Sequence, residues 1–196
     1  MRLFPENLNG ENKINKALFL DRDGVINQDL GYVYKAKEFY FIDGIFEFIK
    51  FALMRKFIII VITNQAGIGR GLYTMDDFKK ISYWMLEIFS SNGCQIHGIY
   101  FSPFHPIHGK GFYKKKENSR KPAPGMLTMA RDDFNINMDE SIIIGDKYTD
   151  IEAGFNSGVK EKILLRSNDE SINQNISFKY HKAKDFNDVQ NLIKSF

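Results

Sequence analysis

Ala17-Leu18-Phe19-Leu20-Asp21-Arg22-Asp23-Gly24-Val25-Ile26-Asn27 is the stretch around which the rest of the chain organises itself. Four apolar residues give way to two carboxylates one residue apart, and then to glycine. A short apolar run closed by charge and Gly reads as a buried strand that ends in a working loop. In open α/β sheets, ligands bind just beyond such strand ends. Two carboxylates placed there can divide the labour between a nucleophile and an acid/base.

Outward from this stretch, strand and helix signals alternate. Residues 57–62 (FIIIVI) are apolar throughout and rich in β-branched side chains, as expected of a parallel strand buried on both faces. Before them, residues 44–56 carry helical spacing through Ile45, Phe48, Ile49 and Leu53. Thr74 ahead of Asp76 and Asp77 predicts an N-cap with acids in the first turn. The helix it opens places Phe78, Ile81, Met85 and Ile88 on one face. Further strands are expected at 96–101, 141–144 and 162–165, and further helices at 124–134, 148–157 and 185–195. The alternation predicts an α/β fold: three layers, with a central parallel sheet and helices on both faces. Residues 1–16 read as a polar, Asn-rich tail, and 17–196 as a single domain. Residues 102–121 break the rhythm, and a non-helical stretch of that length in a compact domain is usually functional or disordered.

Composition narrows the function classes. A net charge of +3, with lysines spread along the chain, argues against nucleic acid as partner. One cysteine, Cys94, excludes an intrachain disulfide framework and fits a reducing compartment. No apolar stretch is long enough for a membrane span, and residues 1–16 lack a signal peptide's apolar core. The expectation is a cytoplasmic monomer with no membrane partner.

Three further strand ends carry chemistry. Residues 57–62 run into Thr63-Asn64-Gln65, the stretch after the third strand leads to Arg120-Lys121-Pro122, and 141–144 run into Gly145-Asp146-Lys147, with Asp150 one turn on. This set fits phosphoryl transfer through an aspartyl-phosphate. Asp21 attacks phosphorus; Asp23 protonates the leaving alkoxide and then activates water. Thr63 and Lys121 hold the phosphoryl oxygens, where negative charge needs stabilising. Asp21 and Asp146 bind Mg²⁺, a hard cation that takes few carboxylates and keeps several waters. Asp150 reads as orienting the ligands or the neighbouring helix rather than binding the metal.

In order, Asp21-x-Asp23, Thr63-Asn64, Lys121-Pro122 and Gly145-Asp146-x-x-x-Asp150 resemble the four motifs of the haloacid dehalogenase (HAD) superfamily of phosphatases. The resemblance spans residues 17–166. Finer features are Gly31-Tyr32-Val33, Phe41-Ile42-Asp43-Gly44, Gln65-Ala66-Gly67-Ile68, Arg70-Gly71 and Arg120-Lys121-Pro122-x-Pro124-Gly125. They are similar to the D-glycero-D-manno-heptose 1,7-bisphosphate 7-phosphatase family, which has histidinol-phosphate phosphatases as near relatives.

That resemblance implies a Rossmann-like HAD fold without a large cap domain. It implies removal of the C7 phosphate from a phosphorylated sugar, on the route to nucleotide-activated heptose for lipopolysaccharide or other surface glycans. Histidinol phosphate, or another small phosphomonoester, is the alternative substrate, and a non-catalytic binding module the alternative class. It further implies that Arg120 recognises substrate, that Asp29, Leu30, Gly31 and Tyr32 line it together with Thr63, Asn64, Gln65 and Ala66, and that Lys147 sits beside the metal-binding acid. The resemblance also implies that the Asp23 backbone carbonyl is the third protein ligand to Mg²⁺.

Many family members hold a structural zinc on the loop after the third strand. The matching positions here are Ser102, Phe104, Glu117 and Ser119, and without thiolates Zn²⁺ is not expected. A rearranged site from Cys94, His97, His105 and His108 is disfavoured, because the two pairs fall at opposite ends of a strand.

Overall fold

The computed structural model describes residues 1–3, 14–166 and 178–195. Its centre is β2 (Lys16–Leu20), in which Ala17, Leu18, Phe19 and Leu20 are all fully buried. β2 pairs in parallel with β3 (Phe57–Asn64) on one side and β5 (Ile142–Gly145) on the other. β3 pairs in parallel with β4 (Gly98–Ser102), and β5 with β6 (Glu161–Leu165). β7 (His181–Ala183) extends the sheet beyond β6, and β1 (Arg2–Leu3) adds an antiparallel edge on β4. The order is β1-β4-β3-β2-β5-β6-β7.

Alternation along the strands divides the core in two. Leu18, Leu20, Ile59, Val61, Ile142 and Ile144 face one side, with α1 (Ile45–Met54), α3 (Met75–Ser91) and α6 (Phe186–Ser195). Ala17, Phe19, Ile60, Ile62 and Ile143 face the other, with α4 (Gly125–Phe134) and α5 (Tyr148–Asn156). This is the expected three-layer α/β/α architecture. Trp84 packs edge-on to Phe39, ring centroids 5.5 Å apart, as part of the core.

The structure adds four local features. The polar tail joins the sheet at its start: Arg2 and Leu3 align with Tyr100 and Ile99, and Leu3 is buried. The tail's residues 4–13 lie outside the described residues. The expected helices omit one short turn directly after β3, α2 (Ala66–Arg70). β3 runs two residues further than its apolar stretch, so Thr63 and Asn64 belong to the strand. Residues 102–121 contain a 3₁₀ turn at Gly111–Tyr113. Among the described residues, no helix is long and apolar enough to cross a membrane.

Topology positions the site. β2 is flanked by β3, reached through α1, and by β5, reached through α4. Chain direction across the sheet reverses at β2, and that reversal opens a crevice at the carboxyl ends of the strands. Register brings those ends level: Leu20 lies opposite both Val61 and Ile144, and the Asp21 N–H donates to the Ile144 carbonyl at 3.0 Å.

Candidate active site

Asp21, Asp23, Asp29, Gly31, Tyr32, Thr63, Asn64, Gln65, Ala66, Arg120, Lys121 and Lys147 all line one cleft of about 460 Å³. Tyr73, Thr149 and Asp150 complete its wall. Two predicted residues are not part of the lining: Leu30, which is exposed, and Asp146, which has a carboxylate oxygen within 4.8 Å of those of Asp21 and Asp150.

The buried centre is an ion triad. Lys121 Nζ lies 3.0 Å from Asp21 Oδ1 and 2.6 Å from Asp150 Oδ1, and it donates to the Ile62 carbonyl at 2.9 Å. An ammonium has three protons, and each meets one of these acceptors. The Lys121 charge is shared between the two carboxylates. Burial draws the Lys121 ammonium down, but Asp150 and Asp21 outweigh it and hold it above the ordinary lysine range. Asn64 fixes the Lys121 backbone from both sides, donating to its carbonyl at 3.1 Å and accepting its N–H at 3.1 Å.

Asp23 is held just as firmly. Arg22 Nη2 donates to Oδ1 and Oδ2 at 2.7 and 2.8 Å, Asn27 Nδ2 to Oδ1 at 3.0 Å, and Gln65 Nε2 to Oδ2 at 3.0 Å. Arg22 is itself buried and anchored to the Val33 carbonyl at 2.7 Å. At the mouth, Lys147 pairs with Asp29 at 2.7 Å, with Asp146 at 3.8 Å. Arg120 donates to the Phe104 carbonyl at 3.0 Å.

Asp21, Asp146 and Asp150 each offer a carboxylate oxygen, and those oxygens lie within 4.8 Å of one another. Among the described residues this is the one grouping of three or more metal-ligating side chains; Cys94, His97, His105 and His108 do not form one. Asp146 Oδ1 is buried and without a hydrogen-bond partner. Crowded carboxylates with an orphaned oxygen fit a hard divalent cation. Gly24 permits the crowding: its φ is +90°, and a Cβ there would stand 2.2 Å from Asp146 Oδ2. Asp150 is the poorest ligand of the three, since its Oδ2 also accepts the Lys147 N–H at 3.0 Å and caps α5.

Without a cation, burial pushes the Asp21 carboxyl up to about 6, and Asp150 and Asp23 add to the rise. Burial pushes Asp146 up to about 7, reinforced by Asp21. Their ordinary value is 3.8, so between about pH 4 and pH 7 the folded chain binds more protons than the unfolded one. Raising the pH across that window therefore costs stability. Metal-free protein should melt a few degrees higher at pH 5 than at pH 8. Mg²⁺ should raise the melting temperature more at pH 8 than at pH 5, since bound metal displaces those protons. Calorimetry with and without Mg²⁺ checks both; a metal-free melting point that climbs from pH 5 to pH 8 would contradict the assignment.

At the positions of the family's zinc ligands, Ser119 Oγ donates to Ser102 Oγ at 3.2 Å. Phe104 packs against Phe112 and Tyr113, with centroids 5.7 Å apart in both pairs. Lys115 lies 4.7 Å from the Phe104 ring and 2.9 Å from Glu117.

Fold and site together define a HAD-like hydrolase: the HAD-hydrolase-like family pattern matches residues 118–190. A D-glycero-alpha-D-manno-heptose-1,7-bisphosphate 7-phosphatase of Burkholderia mallei is 50% identical over 157 residues, covering 80% of this chain and 83% of the relative. The D-glycero-beta-D-manno-heptose-1,7-bisphosphate 7-phosphatase of Vibrio cholerae is 44% identical, covering 77% of this chain and 81% of its own length. The chain belongs to the family of D-glycero-D-manno-heptose-1,7-bisphosphate 7-phosphatases. Its fold is also that of a D,D-heptose 1,7-bisphosphate phosphatase from B. bronchiseptica, solved with magnesium and phosphate. The two superpose with a TM-score of 0.77 at 23% identity, over 92% of this chain and 98% of the other.

Proposed function

We propose that this chain is a Mg²⁺-dependent phosphatase that removes the C7 phosphate of D-glycero-D-manno-heptose 1,7-bisphosphate, in the synthesis of nucleotide-activated heptose. The observation that carries the reading is the arrangement of Asp21, Lys121 and Asp146 at one sheet edge: a carboxylate beside a buried ammonium, next to an acid with a partnerless buried oxygen. The family's shared activity supports the substrate.

On this reading Asp21 attacks phosphorus through the oxygen not engaged by the Arg22 N–H, which sits 2.7 Å from Oδ1. The bond from phosphorus to the sugar oxygen breaks, and Asp23 gives its proton to the departing alkoxide. Asp23 then takes a proton from water, which attacks the aspartyl-phosphate and releases inorganic phosphate with Asp21 restored. Asp21, Asp146 and the Asp23 carbonyl would hold Mg²⁺, which supplies charge neutralisation for the phosphoryl group. Thr63 hydrogen-bonds a phosphoryl oxygen. Lys121 keeps Asp21 ionised and turns toward the phosphoryl group as charge moves onto it. Arg120 and Lys147 face the remainder of the substrate, whose second phosphate offers Arg120 a bidentate partner. We also propose that the enzyme is cytoplasmic, since its single cysteine, Cys94, suits a reducing compartment, and that it acts as a monomer.

Specificity constants for heptose 1,7-bisphosphate and for histidinol phosphate test the substrate. A site with cations waiting for a second phosphate should favour the bisphosphate by a factor on the order of 10² or more. Equal or reversed values would hand the chain to the histidinol-phosphate alternative.

A further inference from the structure

We propose that Tyr73 and Gln65 form a clamp that sets the hydrogen-bond polarity of Thr63 and Asp23, making Tyr73 a positioning residue for phosphoryl transfer. The inference rests on the catalytic roles proposed above for those two residues.

The Tyr73 hydroxyl donates to Gln65 Oε1. At its other end, Gln65 Nε2 donates to Asp23 Oδ2 at 3.0 Å and to Thr63 Oγ1 at 2.9 Å. A primary amide has two N–H bonds on one atom and acceptor capacity on the other. The Asp23 carboxylate, already held by Arg22 and Asn27, requires a donor and sets the orientation of the amide; the Tyr73 and Thr63 hydroxyls, each able to donate or accept, complete it as donor and acceptor. Flipping the amide would aim its carbonyl oxygen at the Asp23 carboxylate. Burial pushes the Tyr73 phenol well above its usual range, so it remains a donor at any working pH.

The consequence falls on Thr63. A hydroxyl carries one proton, and an oxygen already accepting from Gln65 points that proton elsewhere. Thr63 is buried except toward the cleft it lines, so its proton is directed to where a phosphoryl oxygen binds. Were the amide free to turn, Thr63 could donate to Gln65 Oε1 and present a lone pair to the phosphoryl group. The same amide also supports Asp23, donating to Oδ2, the oxygen that Arg22 Nη2 reaches at 2.8 Å.

The surrounding packing leaves Tyr73 little freedom. Its ring stacks on Tyr34, with centroids 5.1 Å apart and planes 11° from parallel. On another side it presses against Gly67, where a Cβ would stand 2.1 Å from Tyr73 Cε1. The Gln65 backbone N–H is tied to the Ser102 carbonyl at 2.7 Å.

Tyr73→Phe keeps the ring and its contacts and removes the one hydrogen bond. We expect kcat for phosphate release to fall about tenfold, with KM within about twofold and the melting temperature within a few degrees. Gln65→Met should give an equal or larger loss, and adding Tyr73→Phe to it should change kcat by less than about twofold, because the clamp is already gone. An unchanged kcat in Tyr73→Phe would overturn the proposal. So would a loss confined to KM, or one that persists undiminished in the Gln65→Met background. Asp21→Asn assayed alongside separates the two readings: if it stays active, the catalytic assignment fails; if it is inactive while Tyr73→Phe matches wild type, only the clamp fails.

Discussion

Asp21→Asn should abolish turnover, by about 10⁴-fold or more, in a protein that folds as well as wild type. The amide matches the carboxylate in size, so packing at the end of β2 is preserved. It cannot attack phosphorus, and it is a weak ligand for a hard cation. At neutral pH the replacement should not lower stability. Burial holds the Asp21 carboxyl at about 6, so the folded site resists its charge more than the unfolded chain does. Lys121 keeps a second carboxylate, Asp150, at 2.6 Å. Steady-state phosphate release and thermal melts at pH 8 check both halves. Residual turnover near the wild-type rate would remove the aspartyl-phosphate from the account.

Lys121→Met should be damaging in a different way, costing both activity and roughly 3–5 kcal/mol of stability. Methionine fills the space of the lysine stem but removes the cation from between two carboxylates. The three side chains are nearly inaccessible, at 1% exposure for Lys121 and Asp150 and 9% for Asp21, so solvent cannot take over the ammonium's role. Buried carboxylates without a partner protonate instead. The loss should therefore be largest at pH 8 and shrink toward pH 5, as protons relieve the repulsion. Urea unfolding at the two pH values reads this directly. A loss equal at both would show that Lys121 contributes packing rather than charge. Lys121→Arg should not rescue, since Asp21, Asp150 and the Ile62 carbonyl converge on one nitrogen, and a guanidinium presents its donors in a flat fork.

Much of this molecule was legible in its sequence because the signals are local. The run from Phe57 to Ile62 announces a strand buried on both faces, and its odd and even residues fall into the two halves of the core. Asp21, Thr63 and Asp146 could be placed together because each follows an apolar run that reads as a strand, and parallel strands deliver their ends to one edge. What stayed hidden depends on loop conformation and on distance along the chain. Arg22 reads as a spacer between two acids, yet the loop turns its guanidinium back onto Asp23, buried beneath the site. Tyr73 sits eight residues after Gln65, and only the turn of α2 brings its hydroxyl back. β7 carries one buried residue, Ala183, and has no apolar period to find. The sequence marks Asp150 as an orienting group, and its geometry carries two such contacts, pairing Lys121 and capping α5.

The central claim is that Asp21 and its neighbours remove one particular phosphate from a heptose bisphosphate with the help of a divalent cation. Phosphorus NMR of the purified chain with D-glycero-D-manno-heptose 1,7-bisphosphate and Mg²⁺ follows both phosphates of the substrate at once. The account predicts that the C7 signal gives way to inorganic phosphate while the C1 signal persists, and that chelating the metal stops the change. Release from C1, or release that continues after chelation, would contradict it.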